Sequence, residues 1–317
     1  MHPLALSSPS IGVAVITHCA KHHLRHCLPP YLECSLKPRV LVVNSSSNDG
    51  TVELAEELGA ETLVIPRDEF NHGSTRERAR RALGTDIVVM VTPDAYPTDP
   101  EMLTRLVAPI REGKAAIAYA RQIPHDGSGI FEAFPRTFNY PEESQLRSIE
   151  DSKHYGVYTF FCSNSCAAYS SAALESVGGF HSVLLGEDTV ATASLLRKGH
   201  KIAYVAEAVV KHSHRYSIQQ EFRRYFDTGL MRSAYTQLLD TGRSDESRGQ
   251  QFLIAFCKEL AQKQPLAFPY ALLHTAAKWI GYRLGRLCKH APVWIKRSLS
   301  SQDFYWNSRD FLDQTIY

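Results

Sequence analysis

Short, continuous apolar runs separated by helical or turn-rich stretches constrain the first half of this chain more than any other feature. Ile11–Ile16 (IGVAVI), Arg39–Val43 (RVLVV), Glu61–Ile65 (ETLVI) and Asp86–Val91 (DIVVMV) have strand length and strand composition, and each is expected to be a strand. Thr51 onward (TVELAEELGA) has helical periodicity and closes at Gly59, a residue suited to a C-cap, while Ser74–Leu83 reads as a basic helix. A strand without polar alternation must be covered on both faces. Strands of that kind alternating with helices build a parallel sheet between helical layers. In such sheets ligands gather at the carboxyl ends of the strands.

Strand signals resume at Cys166–Tyr169 and Lys201–Val205. Between them lie a glycine-punctuated loop, Val177–Asp188 (VGGFHSVLLGED), and a helix, Thr189–Lys198. Residues 121–160 are turn-rich and aromatic and carry no clear periodicity; from about Ser217 the pattern becomes helical. The expected fold class is therefore α/β: a mixed, mostly parallel sheet flanked by helices, with a C-terminal helical extension.

Composition narrows the functions open to such a fold. A net charge of +2 does not argue for nucleic acid as a partner. The seven cysteines are odd in number and scattered. Cys162 and Cys166 lack the second pair that a zinc site needs, so packed thiols in a reducing compartment are expected. The N-terminus shows no secretion signal, and nothing approaches the run of about 18 apolar residues that spans a bilayer. A cytoplasmic protein is the expectation.

Four strand-end segments carry the chemistry. Thr17-His18 and the loop Asn44–Thr51 (NSSSNDGT) place polar groups where a pyrimidine base and a ribose can be contacted, although Asp49 would also serve as a helix cap. In Phe70–Arg76 (FNHGSTR), Gly73 permits close backbone approach and Arg76 offers a donor fork for phosphate; a plain N-cap is the rival reading. Asp94 ends the run IVVMVTPDAYP, where a carboxylate can bind a divalent cation that neutralises a diphosphate, or cap the turn before Pro97. Finally, Glu187-Asp188 opens a helix and His212-Ser213-His214 follows a strand. The acids can cap that helix or supply a general base. Either histidine can complete a metal shell with Asp94 through a neutral imidazole.

In order and spacing these segments resemble the inverting GT-A glycosyltransferases of glycosyltransferase family 2, and within them the bacterial rhamnosyltransferases that use dTDP-rhamnose. The segments NSSSNDGT, FNHGSTR, TPDAYP, GGFHSVLLGED and VAEAVVKHSHRYSIQQEFRRYFDTG carry the likeness, which covers roughly residues 11–230. It implies a catalytic domain over residues 1–230, with a nucleotide-binding half to about 120 and an acceptor half from about 121, followed by a helical extension over 231–317. It implies that Thr17, Asn44 and Asp49 lie near the nucleotide and that Asn71, Gly73 and Arg76 lie at its diphosphate or sugar. Asp94 would be the metal-proximal acid holding Mg²⁺ or Mn²⁺, with His212 as a metal or diphosphate contact. Asp188 would be the base, and Glu187 and His214 would support it or meet the acceptor. The activity implied is inverting transfer of L-rhamnose onto a glycan or lipid-linked acceptor in surface polysaccharide synthesis. Another nucleotide sugar, or an inactive domain serving as an assembly partner, are the alternatives. Two positions depart from the family pattern: Asn44 stands where Asp is usual, and Tyr96 replaces the second acid of the metal motif.

The C-terminal region adds a separate expectation. Residues 251–299 hold eight Lys or Arg (Lys258, Lys263, Lys278, Arg283, Arg286, Lys289, Lys296, Arg297) against the single acid Glu259, interleaved with Trp279 and Trp294. That mixture suits a helix lying on an anionic membrane surface, on the inner face of the cytoplasmic membrane; the alternative is helices packed on the catalytic domain. Pro265, Pro269 and Pro292 are expected to divide the region.

Overall fold

The computed structural model describes residues 8–242 and 246–315. Its strands are β1 (Ile11–Thr17), β2 (Arg39–Asn44), β3 (Glu61–Val64), β4 (Ile87–Val91), β5 (Tyr96–Pro97), β6 (Ile117–Ile123), β7 (Gln145–Arg147), β8 (Cys166–Ser170) and β9 (Ile202–Lys211). They form one sheet in the order β3-β2-β1-β4-β8-β6-β9-β5, with β7 added beside β9. The mixed, mostly parallel sheet expected from the apolar runs is present. β1 and β4 are buried along their whole length. Their alternate residues divide between two cores: Val13 and Val15 belong to one, Ala14 and Ile16 to the other. A continuous apolar run is what a strand with helices on both faces requires.

Strand direction decides where polar ends collect. β1 through β4 run parallel, pairing Thr17 with Asn44 and Asn44 with Val64. β8 runs against β4 and puts Cys166 opposite Val91, so the turn before β8 arrives at the carboxyl end of β4. β6 opposes β8 in turn, and β9 runs with β6, matching Ile123 to Lys211. The far ends of β1, β2, β4, β6 and β9, and the start of β8, therefore share one sheet edge.

Two elements lay outside the periodicity of the sequence. β6 lies between two covered faces, and its alanine-rich start after the turn that follows the helix Met102–Arg111 gives only a weak strand signal. β9 continues to Lys211, well beyond Val205, after a register shift between Ala120 and Arg121. The aromatic middle region folds into the helix Ile130–Asn139, β7 and short turns. All seven cysteines are free thiols.

Beyond the sheet, the helix Ile218–Ala234 packs on the helix Phe268–Leu287 at backbone contact distance. A Cβ on Gly281 would stand 2.3 Å from the Phe222 carbonyl oxygen, and one on Gly285 would stand 2.0 Å from that of Phe226. Only glycine permits that approach. Pro265 and Pro292 lie at element boundaries as expected, but Pro269 sits in the first turn of its helix, where its missing N–H costs no hydrogen bond. The helix Glu246–Lys263 packs Phe252 and Phe256 against Phe134 of the helix Ile130–Asn139.

Candidate active site

The loop after β2 is shaped by its own polar groups. Thr17 Oγ1 donates to the Val43 carbonyl at 3.0 Å and accepts from Asn44 Nδ2 at 3.2 Å. Asn44 also donates to Ser47 Oγ and accepts from its backbone N–H. The Asp49 carboxylate accepts from Ser47 Oγ, the Thr51 hydroxyl and the Lys21 amide. Burial pushes this carboxyl up, but the bonds from Thr51, Lys21 and Ser47 outweigh it and hold it at about 2. Asn44 is uncharged, and it fills this linking role with both halves of its amide. Thr17, Asn44 and Asp49 thus stand together at the ends of β1 and β2.

A second group joins the FNHGSTR turn to the loop ahead of Asp188. Asn71 is fully buried; its side-chain oxygen caps the helix His72–Leu83 through the Gly73 and Ser74 amides, and its Nδ2 donates to Val183 O at 2.9 Å. A Cβ on Gly73 would lie 1.7 Å from the His181 carbonyl oxygen, so the absence of a side chain there is demanded by the neighbouring loop. Arg76 Nη1 donates to His72 O at 2.9 Å and pairs with Glu187 Oε1 at 3.2 Å, with both side chains buried. Asn164 Nδ2 completes Glu187 at 2.9 Å. Asn71, Gly73 and Arg76 are therefore engaged with the segment 181–187.

That support divides the charge states of two adjacent acids. Burial raises the Glu187 carboxyl, but Arg76, then His72 and Asn164, overcome it and keep Glu187 ionised. Among the described residues Asp188 has no cation paired with it. Burial and the neighbouring Glu187 charge push it up to about 7, against the amides of Asn164 and Thr189 at 3.2 and 2.7 Å. A carboxyl poised near neutrality suits a general base.

The third group is Asp94, His212 and His214, whose candidate ligand atoms all lie within 4.8 Å of one another. Asp94 Oδ2 is 3.4 Å from His212 Nε2 and 3.3 Å from His214 Nε2. Burial pushes Asp94 up, yet its contact with His212 and the closeness of His214 and the Thr92 hydroxyl hold it below the usual carboxylate range. Burial lowers both imidazoles, His214 to about 4, so they are neutral at physiological pH. Gln122 Oε1 lies 2.9 Å from His212 Nδ1 and fixes the ring with Nε2 toward Asp94. Arg136 Nη2 approaches the same Nδ1 at 3.3 Å, a longer contact, and its Nε donates to the His212 carbonyl. An ionised carboxylate facing two neutral imidazoles is a mixed oxygen and nitrogen donor set that fits a divalent cation such as Mn²⁺.

The turn Ser163–Ser165 links the second and third groups. Asn164 holds Glu187 and Asp188, while Ser165 Oγ lies 3.5 Å from His212 Nε2. Close to Asp94, Tyr96 hydroxyl meets His23 Nδ1 at 2.6 Å, and His125 Nε2 meets the Asp94 carbonyl at 3.1 Å. Asn164, Gln122 and Arg136 were not among the residues picked from sequence. Gln122 was accessible to the strand-end rule once β6 was recognised. Asn164 and Arg136 lie in the middle region, which carries no usable pattern.

Polar loops at the carboxyl edge of a mostly parallel sheet, a buried acid–histidine group and a separate poised carboxyl are the arrangement expected of a GT-A glycosyltransferase. The family described as "Glycosyltransferase like family 2" matches residues 9–227, and the chain belongs to it. The chain is a glycosyltransferase. It is 36% identical over 272 residues to the O-antigen chain rhamnosyltransferase WbaN of Salmonella anatum, covering 85% of this chain and 86% of that protein. It is 35% identical over 273 residues to the O-antigen chain rhamnosyltransferase RfbN of Salmonella typhimurium, covering 85% and 87%. Among solved structures, the mannosyltransferase PcManGT of Pyrobaculum calidifontis, in complex with GDP-Man and Mn²⁺, has a TM-score of 0.60 at 14% identity over 90% of this chain and 88% of that one. S. aureus TarS 1–349 in complex with UDP-GlcNAc has a TM-score of 0.57 at 16% identity over 96% and 88%. Both share the fold.

Proposed function

We propose that this glycosyltransferase moves L-rhamnose from dTDP-rhamnose, with inversion, onto a glycan or lipid-linked acceptor of O-antigen synthesis at the inner face of the cytoplasmic membrane. The observation that carries the catalytic part is that Glu187 is paired with Arg76 and Asn164 while the adjacent Asp188 is left poised near neutrality. Extensive identity to two proteins named O-antigen chain rhamnosyltransferases supports the donor sugar. Among the described residues no helix is long and apolar enough to cross a membrane, so contact with the lipid leaflet would be peripheral.

In this reading the acceptor hydroxyl oxygen attacks the anomeric carbon while its proton passes to an Asp188 carboxylate oxygen. The bond from that carbon to the β-phosphate oxygen breaks, and dTDP leaves with the bonding electrons. One displacement inverts the centre. Glu187 stays charged through Arg76 and Asn164, and its negative field raises the basicity of Asp188. Thr17, Asn44 and Asp49 bind the nucleoside; the turn of Asn71, Gly73 and Arg76 backs the donor pocket by fixing the Val183–Asp188 loop. Asp94 and His212 hold a divalent cation, with His214 beside them, and that cation would supply charge neutralisation for the diphosphate.

The test is incubation with dTDP-rhamnose and with a panel of other nucleotide sugars, with Mn²⁺ or Mg²⁺, following nucleoside diphosphate release and product mass. Release and transfer from dTDP-rhamnose are expected. Turnover confined to a different donor would overturn the rhamnose assignment.

A further inference from the structure

The helix Phe268–Leu287 is apolar on both sides. Its inner face, with Ala271, His274, Gly281 and Gly285 buried, lies toward the helix Ile218–Ala234. Its outer face repeats at helical spacing through Leu272, Leu273, Trp279, Ile280 and Leu287, and that stripe is open to solvent: Leu272 is 72%, Trp279 60% and Leu287 81% exposed. A helix that faces water normally turns charged residues outward. After a short turn the helix Val293–Leu299 adds Trp294, 71% exposed.

The charges along this region have one sign. Between Glu259 and Asp303 the chain contains no acidic residue, while Arg283, Arg286, Lys289 and Arg297 are exposed there. Arg283 lies over the Trp279 ring at 5.8 Å. Aromatic and aliphatic groups bordered by long basic side chains match a leaflet in which apolar groups enter the acyl boundary and cations reach phosphate. A second copy of the chain is a poor occupant, because a symmetric contact through this face would bring arginines and lysines together with no acid to pair them.

We infer that the outer face of the helix Phe268–Leu287, continued by Trp294, docks on an anionic phospholipid leaflet. The inference rests on the membrane-surface part of the proposed function and assigns it to particular side chains. The same helical layer reaches the active site. Ala271 shares an apolar cluster with Phe256 and Phe134, and Arg136, two residues from Phe134 on the same helix, bonds the His212 carbonyl. A lipid-linked acceptor would thereby be presented one helical layer from the reacting groups.

The experiment is cosedimentation of the full chain with vesicles of phosphatidylcholine alone or of phosphatidylcholine with phosphatidylglycerol, without nucleotide sugar. The wild-type protein should pellet with anionic vesicles at least tenfold more strongly than with neutral ones, and the difference should shrink in high salt. Leu272→Glu with Trp279→Glu should abolish pelleting while leaving the melting temperature and dTDP release from dTDP-rhamnose unchanged. Arg283→Gln with Arg286→Gln, a milder change, should weaken it severalfold. Equal pelleting on both vesicle types, no pelleting of the wild type, or full pelleting of both variants would overturn the inference. So would a wild-type dimer, seen by analytical ultracentrifugation without vesicles, that the Leu272 and Trp279 substitutions dissociate. Vesicle binding needs no donor, so it stands or falls separately from the rhamnose assignment.

Discussion

His212 Nε2 stands 3.4 Å from Asp94 Oδ2, with Gln122 Oε1 on the opposite nitrogen of the ring at 2.9 Å. Hydrogen bonding at Nδ1 fixes the ring with Nε2 toward an ionised carboxylate, which is an arrangement ready for a cation. Asp94→Asn or His212→Ala should weaken Mn²⁺ binding by more than about 100-fold, and Gln122→Leu by a smaller factor of about 10–100-fold, the range of supporting residues. Calorimetric titration of Mn²⁺ in the presence of dTDP measures each step. Unchanged affinity in both ligand variants would remove the cation from this position.

The poised state of Asp188 sets a pH dependence. A carboxyl raised to about 7 is protonated below that value and becomes a base above it, so kcat/KM should climb as pH rises through about 7. The expected profile has an acidic limb there, and a limb near pH 4 would contradict the environment described. Asp188→Asn should lower kcat by about 10²–10⁴-fold. Donor binding, read by calorimetry with dTDP, should persist.

Arg76 is placed to hold Glu187 charged, at 3.2 Å with both side chains buried. Arg76→Ala leaves that carboxylate without its cation, which should cost roughly 3–5 kcal/mol of stability. Arg76→Ala with Glu187→Gln should recover part of the stability, measured by urea unfolding.

Gly73 tests the close approach of two loops. Its Cβ position is 1.7 Å from the His181 carbonyl oxygen, and backbone on both sides leaves no flexible atom to yield. Gly73→Ala should destabilise the protein by about 1–3 kcal/mol or more, as overpacking does. It should also raise KM for the donor, because the turn and the Val183–Asp188 loop would separate. A melting curve unchanged from wild type would show that this approach is not required.

The linear pattern carried the sheet and much of the site. Val13, Ala14, Val15 and Ile16 had to be a strand covered on both faces, because successive side chains point to opposite sides and all were apolar. Asp94 and His212 were visible for a related reason: a polar group directly after an apolar strand lies at the sheet edge where ligands collect. β6 escaped because residues 115–120, around its start, are dominated by alanine, which favours helix over strand, and Arg121 and Gln122 follow at once.

Partners were decided in three dimensions. Nothing in FNHGSTR reveals that Asn71, Gly73 and Arg76 would meet Val183, His181 and Glu187, more than a hundred residues away, since neither local propensity nor hydrophobic period encodes a distant contact. Asn164 enters the site only because β8 runs against β4 and delivers its preceding turn to the same edge. The basic, tryptophan-bearing C-terminal stretch was legible as amphiphilic. Which of its apolar residues face inward was settled by glycines that let one helix seat against another, leaving Leu272, Trp279 and Leu287 outside. Sequence by itself determined which residues could be buried and which strand ends could bear chemistry; the tertiary structure decided which polar groups meet, because a charge state such as that of Asp188 depends on neighbours that only folding brings within reach.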